Sequence, residues 1–157
     1  IISKETAYQM TSILEGAVKR GTAKGLKDLN LDLGGKTGTT NKNTDTWFVG
    51  FSSNYVIGVY VGYDEPSSLG RHETGSRTAM PIFKNFVKNA VKKNNARPFK
   101  TPQGIKMLVV NSKTGKRASY NDESIIIEAF KEKDLVNNKI QYGNKDYISK
   151  ENIYKFY

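Results

Sequence analysis

The chain has 157 residues, with 25 Lys+Arg against 15 Asp+Glu for a formal net charge of +10, one histidine and no cysteine. That length suits one domain or a piece of a larger one. Without cysteine, and with His72 as the lone histidine, a Cys/His zinc site, a disulfide framework, a thiol nucleophile and a two-histidine iron site are excluded, and no metal or other cofactor is expected.

The sequence opens at Ile1 with no basic or apolar leader ahead of the first helical pattern, which gives the expectation of an excised or truncated chain. Ser3 caps a first helix in which Ala7, Met10, Ile13, Leu14, Ala17 and Val18 recur at helical spacing, with Lys19 and Arg20 in the last turn and Gly21 as the stop. Residues 21–30 mix Gly and Lys with few apolar positions and read as a loop. The alternating Leu31-Asp32-Leu33 then predicts a strand running into Gly34-Gly35-Lys36-Thr37-Gly38-Thr39-Thr40. A polar turn at 41–44 follows.

Two runs rich in aromatic and β-branched residues, near 45–52 and 55–62, are linked by Ser52-Ser53-Asn54 and predict an antiparallel hairpin. Gly50, Gly58 and Gly62 within them predict close approach of another element, with the first helix as the candidate. The uncharged stretch from Thr46 to Tyr63 is broken by these glycines and the polar turn, so it reads as the hairpin and not as a membrane span.

Residues 63–76 read as a loop. A second helix starts at Thr78 or Ser76 with Pro81 in its first turn, buries Ile82, Phe83, Phe86, Val87, Ala90 and Val91, and ends near Asn94-Asn95. Met107 to Val110 predicts a short strand turning at Lys113-Thr114-Gly115. Beyond Asp122, Ile125-Ile126-Ile127 and Ala129-Phe130 can pack. The resulting division is a body over 1–95, a basic segment with a short strand over 96–130, and an Asn/Lys-rich polar tail of low order over 131–157.

Between Glu73 and Asp122 lie eleven Lys or Arg residues and no acid, which sets up a positive field. Lys84, Lys88 and Lys92, four apart, form the solvated face of the second helix. The bias of 20 Lys over 5 Arg argues against a nucleic-acid partner, because phosphate and base-edge recognition favours the bidentate guanidinium.

Gly35-Lys36-Thr37 imitates the end of a phosphate-binding loop, but Asn30 stands where the opening glycine belongs and a hairpin replaces the helix that such a site needs. The alternative is an edge strand beside an acyl-transfer site, since Lys-Thr-Gly accompanies S-x-x-K and S-x-N motifs in serine β-lactamases and penicillin-binding proteins. A second copy at Lys113-Thr114-Gly115 reads as a turn only.

The surroundings of the first copy are specific. Arg20-Gly21-Thr22-Ala23, Gly34 to Thr40, Asp45 to Phe51, Gly58 to Asp64, Glu73-Thr74-Gly75-Ser76 and Ala79 to Phe83 resemble, in order and spacing, the C-terminal part of the transpeptidase domain of class A (bifunctional) penicillin-binding proteins. Ile127 to Phe130 resembles the segment just after that domain.

The resemblance implies a partial penicillin-binding/β-lactamase-like transpeptidase fold of α+β class, with an antiparallel sheet of at least three strands and helices packed on it. It implies serine acyl transfer on the D-Ala-D-Ala ends of peptidoglycan stem peptides, blocked by β-lactams. Lys36 would supply positive potential, the hydroxyls of Thr37 and Thr39 would hold the substrate carboxylate, Gly38 would allow close approach, and the Thr39 N–H would be an oxyanion donor. The parent protein would be membrane-anchored on the periplasmic side of the inner membrane.

One element of the pattern is missing. None of the eleven serines begins an S-x-x-K, and the S-x-N at Ser52 and Ser119 both follow Lys36, against the family order. The expectation is therefore one wall of an active site without its nucleophile, inactive by itself. A fragment of such a sheet would also expose an edge or face and self-associate. The rival reading is a non-catalytic basic module contacting envelope polymers or a partner protein.

Overall fold

The structure, a computed structural model, describes residues 1–91 and 97–137. It separates into two compact units, one formed by Ile13–Lys100 and the other by Ile1–Ser12 with the segment from Thr101 onward.

In the unit of residues 13–100, β1 (Gly34–Thr39), β2 (Asp45–Phe51) and β3 (Val56–Gly62) form an antiparallel sheet in the order β1-β2-β3. Opposite residues share a face. One face carries Gly35, Gly50 and Ile57, then Thr37, Phe48 and Val59, then Thr39, Thr46 and Val61. This face is covered by helix α2 (Ala79–Ala90), which sets Phe83 against Phe48 with ring centroids 4.8 Å apart. Val18, Ala23, Leu26, Leu29, Leu33, Ala79, Met80, Val87 and Val91 complete the core. The other face carries Lys36, Trp47, Val49, Val56 and Tyr60, all exposed.

Several expectations need correction. The strand starts at Gly34 and not at Leu31. Residues 24–29, read as loop, form a 3₁₀ helix because Leu26 and Leu29 are buried in the core. Lys84 of α2 reaches this turn through an ion pair with Asp28 at 2.8 Å. Of the stripe expected on α2, Phe83, Val87 and Val91 are buried, whereas Ile82 and Phe86 are about half exposed. Helix α1 (Lys4–Lys19) forms as expected with Ser3 Oγ accepting the Thr6 N–H, but it buries only Gly16 and Val18 and leaves Met10 and Ile13 exposed.

The glycines also have a different reason from the one expected. A Cβ on Gly50 would stand 2.6 Å from the Phe83 ring, and one on Gly35 would stand 2.7 Å from Phe48 Cζ and 3.0 Å from the Val49 carbonyl. The close neighbours are therefore a side chain of the second helix and the sheet itself, not the first helix. Gly62 yields to Tyr60 and Asp45, and Gly58 faces open space.

In the unit of residues 1–12 and 101 onward, β4 (Ile105–Asn111) pairs antiparallel with β5 (Ile125–Lys131), followed by helix α3 (Glu132–Asn137). Leu108, Val110, Ile127, Ala129 and Leu135 are buried. A lone two-stranded sheet is marginal, and side chains from the start of α1 brace this one. Gln9 Nε2 donates to the Ala129 carbonyl at 3.0 Å and Lys131 Nζ donates to Thr6 Oγ1 at 2.7 Å. Residues 132–137 of the segment read as a tail are thus helical, and the rest of that segment, like Asn94-Asn95, lies outside the described residues.

Two predictions follow from this packing. Gly35→Ala should cost about 1–3 kcal/mol by overpacking, whereas Gly58→Ala should be neutral or stabilise by up to about 1 kcal/mol; denaturant unfolding of the two variants checks the contrast. The second concerns Glu15, whose carboxyl is held above its usual range chiefly by burial, with Lys19 at 3.3 Å opposing. A carboxyl raised in the folded state contributes stability below its unfolded pKa and loses it as pH rises through the folded one. Relative to the unaltered chain, Glu15→Gln should therefore gain in melting temperature as pH climbs from about 4 to about 7, and a narrowing gap would reverse the sign.

Candidate active site

Strand β1 is the outer strand of its sheet among the described residues. Which of its groups face outward follows from the ladder. The Thr40 N–H bonds the Asp45 carbonyl at 3.0 Å, and partners in an antiparallel pair alternate. The main-chain N–H and C=O of Gly38 therefore turn toward β2, while those of Thr37 and Thr39 turn toward the open edge. The Lys36 side chain starts on the exposed sheet face, yet its Nζ donates to the Thr37 carbonyl at 3.0 Å and so comes round to that same edge.

The two hydroxyls lie on the other side of the strand from the root of Lys36. Thr37 Oγ1 is 3.4 Å from Thr22 Oγ1, and Thr39 Oγ1 accepts the Gly75 N–H at 3.1 Å. The structure thus brings the Lys36 ammonium and the Thr37 and Thr39 amides to one edge, with both threonine hydroxyls engaged by neighbouring loops. The extended backbone at Gly35-Lys36-Thr37 with β2 behind it has no helix to cradle a phosphate.

Loop 63–78 clasps the far end of β1. The Leu69 N–H bonds the Asn43 carbonyl at 2.8 Å, the Asn43 side-chain amide donates to the Glu73 carbonyl, and buried Gly75 lies on the backbone of Gly38 and Trp47. A Cβ on Gly75 would collide with the Trp47 carbonyl and stand 2.7 Å from the Gly38 carbonyl. The loop is held from below by a hydroxyl relay. Thr78 Oγ1 donates to the Thr74 carbonyl at 2.9 Å, which leaves it to accept from Thr46 Oγ1 at 2.6 Å.

The turn after Thr39 is tied by Asp45, whose carboxylate accepts from Tyr60 OH at 2.8 Å and from Thr44 Oγ1 at 3.0 Å. These bonds, that of Tyr60 first, hold the Asp45 carboxyl below its usual range, and the Tyr60 phenol is pushed up in return.

Sequence reasoning missed Asn43, Asp45, Tyr60 and the Gly75 contact. The signal available was the recurrence of Thr and Asn around Asp45 and a glycine in the Glu73–Ser76 loop. The decoy motifs are turns. Ser52 Oγ accepts the Asn54 and Tyr55 N–H groups at 3.2 Å each, Ser119 pairs with Asp122, and at the second Lys-Thr-Gly the Lys113 and Thr114 N–H groups bond Asn111 Oδ1.

The family model described as "Penicillin binding protein transpeptidase domain" matches residues 1–88, which include β1 and the clasping loop. The chain belongs to the penicillin-binding protein transpeptidase family. Among its relatives in that family, the Penicillin-binding protein 1A of Rickettsia conorii is 45% identical over 151 residues, covering 96% of this chain and 18% of the relative. That of Pseudomonas aeruginosa is 42% identical over 135 residues, covering 85% of this chain and 16% of the relative. The crystal structure of Penicillin-Binding Protein 1A from Haemophilus influenzae superposes with a TM-score of 0.73 at 32% identity, over 83% of this chain and 20% of that one. The chain therefore spans under a fifth of the length of these curated penicillin-binding protein relatives, and the similarity to them runs beyond the end of the family model into the β4–β5 unit.

The hydroxyl relay yields a test. Thr78→Val strands the Thr46 hydroxyl, fully buried, with only the Val61 carbonyl at 3.5 Å among the described residues, at a cost of about 1–3 kcal/mol. Thr46→Val leaves Thr78 its own acceptor and should cost less. Chemical denaturation of both variants checks the order.

Proposed function

We propose that this chain forms the Lys-Thr-Gly wall of a peptidoglycan D,D-transpeptidase site, in which a serine and lysine of an S-x-x-K segment outside these 157 residues supply the attacking oxygen and its base. The observation that carries the reading is the open edge of β1, where the Lys36 ammonium and the outward Thr39 N–H sit together. The serine oxygen gives its proton to the base and attacks the carbonyl of the penultimate D-Ala, whose C–N bond breaks to release the protonated terminal D-Ala, or that of a β-lactam ring, whose C–N bond opens with the amine still attached. The Thr39 N–H receives the developing oxyanion, a type of contact whose removal costs about 3–4 kcal/mol of barrier. Lys36 lends positive potential for the proton transfers at the serine and for the terminal carboxylate, Thr37 and Thr39 offer hydroxyls to that carboxylate, and Gly38 keeps the strand bare for close approach.

The partners on this reading are stem peptides and β-lactams, with no nucleic acid. Its setting is the periplasmic face of the inner membrane, with the anchor in the parent protein; among the described residues no helix is long and apolar enough to cross a membrane. The exposed face bearing Trp47, Val49, Val56 and Tyr60 supports self-association of the isolated chain.

A labelled penicillin tests the reading. The chain alone should take no adduct, and it should support labelling once joined to a segment bearing S-x-x-K. Lys36→Ala should then cut the labelling rate by about a hundredfold or more. A well-folded joined protein that stays unlabelled would overturn the reading in favour of a non-catalytic module.

A further inference from the structure

Thr39 differs from the other hydroxyl at the edge in how its oxygen is held. Its Oγ1 accepts the Gly75 main-chain N–H at 3.1 Å, so one lone pair is occupied and the hydroxyl proton is left to donate. Among the described residues no acceptor takes that proton, and the Thr39 side chain is exposed. The donor, by contrast, is rigid. Gly75 is buried, packed on the Gly38 and Trp47 backbone so closely that a Cβ would stand 2.7 Å from the Gly38 carbonyl. One residue on each side anchors it further, Glu73 through its carbonyl to Asn43 and Met80 through its N–H to the Gly75 carbonyl at 2.8 Å.

We propose that Gly75 is a positioning residue for the acyl donor's carboxylate: its N–H fixes the rotamer of Thr39 so that the Thr39 hydroxyl proton points out of the strand toward that carboxylate. This rests on the assignment of Thr39 to carboxylate binding made above. A hydroxyl that turned freely could present a lone pair to the carboxylate as readily as its proton, and the contact would be repulsive. The amide narrows that choice, because it occupies one of the two lone pairs and holds the side-chain rotamer, so the proton keeps only the positions turned away from Gly75. Glycine is required at 75 for space, because any side chain lifts the loop from the Gly38–Trp47 backbone and withdraws the amide from Thr39.

The test uses two measurements. In the 157-residue chain, hydrogen exchange at the Gly75 amide should speed up by about fivefold to tenfold in Thr39→Val, which lacks the acceptor, and stay unchanged in Thr39→Ser, which keeps it. An amide that exchanges at the same rate in all three chains overturns the proposal, whatever happens to activity.

In the chain joined to its S-x-x-K segment, acylation is followed with a fluorescent penicillin and with its carboxylate methyl ester. Gly75→Ala should slow the free acid about tenfold more than the ester, mainly through weaker binding. In the Thr39→Val background it should add nothing further to that difference. Equal losses on acid and ester, or losses that add, mean that Gly75 only supports the fold, and overturn the proposal. If the unaltered joined protein takes no label from either compound, the transpeptidase reading itself falls, an outcome distinct from the other two.

Discussion

Two phenylalanines and two glycines fix the geometry on which everything else rests. Phe48 and Phe83 are fully buried and meet edge to face, and they can do so only because Gly35 and Gly50 leave the sheet bare beneath them. Their contact sets the distance between helix α2 and the sheet. The loop over residues 74–78 leads directly into that helix, and Gly75 within it packs down onto β1. The relay from Thr46 through Thr78 to the Thr74 carbonyl adds direction to the same junction. A core contact is thus linked to an edge some residues away through the backbone of that loop.

That edge divides its work between main chain and side chains. Alternation along the β1–β2 ladder leaves the amides of Thr37 and Thr39 facing outward whatever their side chains do, so the register with β2 decides which amides are open. The register is held at its end by Asp45, which gathers Thr40, Thr44 and Tyr60 around one carboxylate. Thr40 and Tyr60 are exposed, Thr44 and Asp45 half-buried, and their individual bonds are weak, but together they oppose a one-residue slip that would turn Lys36 to the wrong face.

Much of this was legible in the residues. The hairpin announced itself through Trp47 to Phe51 and Val56 to Gly62, where aromatic and β-branched residues alternate with glycine and a polar turn intervenes. Helix α1 was marked by Ser3 at one end and Gly21 at the other. The candidate site was readable only as a string, because Gly34 to Thr40 sits among segments whose order matches a known family. What was hidden depends on tertiary packing. Leu26 and Leu29 are too few to signal a 3₁₀ helix, and Ile82 and Phe86 carry the helical period of buried residues while lying half exposed. The strand β5 was concealed because Glu128 and Lys131 interrupt its apolar run. No pattern in the sequence announces that a loop amide at Gly75 meets a hydroxyl at Thr39, since that pairing joins positions 36 residues apart.

The chain also contains its own control for motif reading. Lys36-Thr37-Gly38 is extended, whereas Lys113-Thr114-Gly115 curls into a tight reversal with Gly115 at a φ of 68°. In the second copy the Asn111 side chain absorbs the amides of Lys113 and Thr114. Identical letters thus leave outward-facing amides in one place, among the described residues, and a sealed knot in the other. An asparagine two positions upstream is what distinguishes them, so a tripeptide signature acquires chemical meaning only once the fate of its own amides is known.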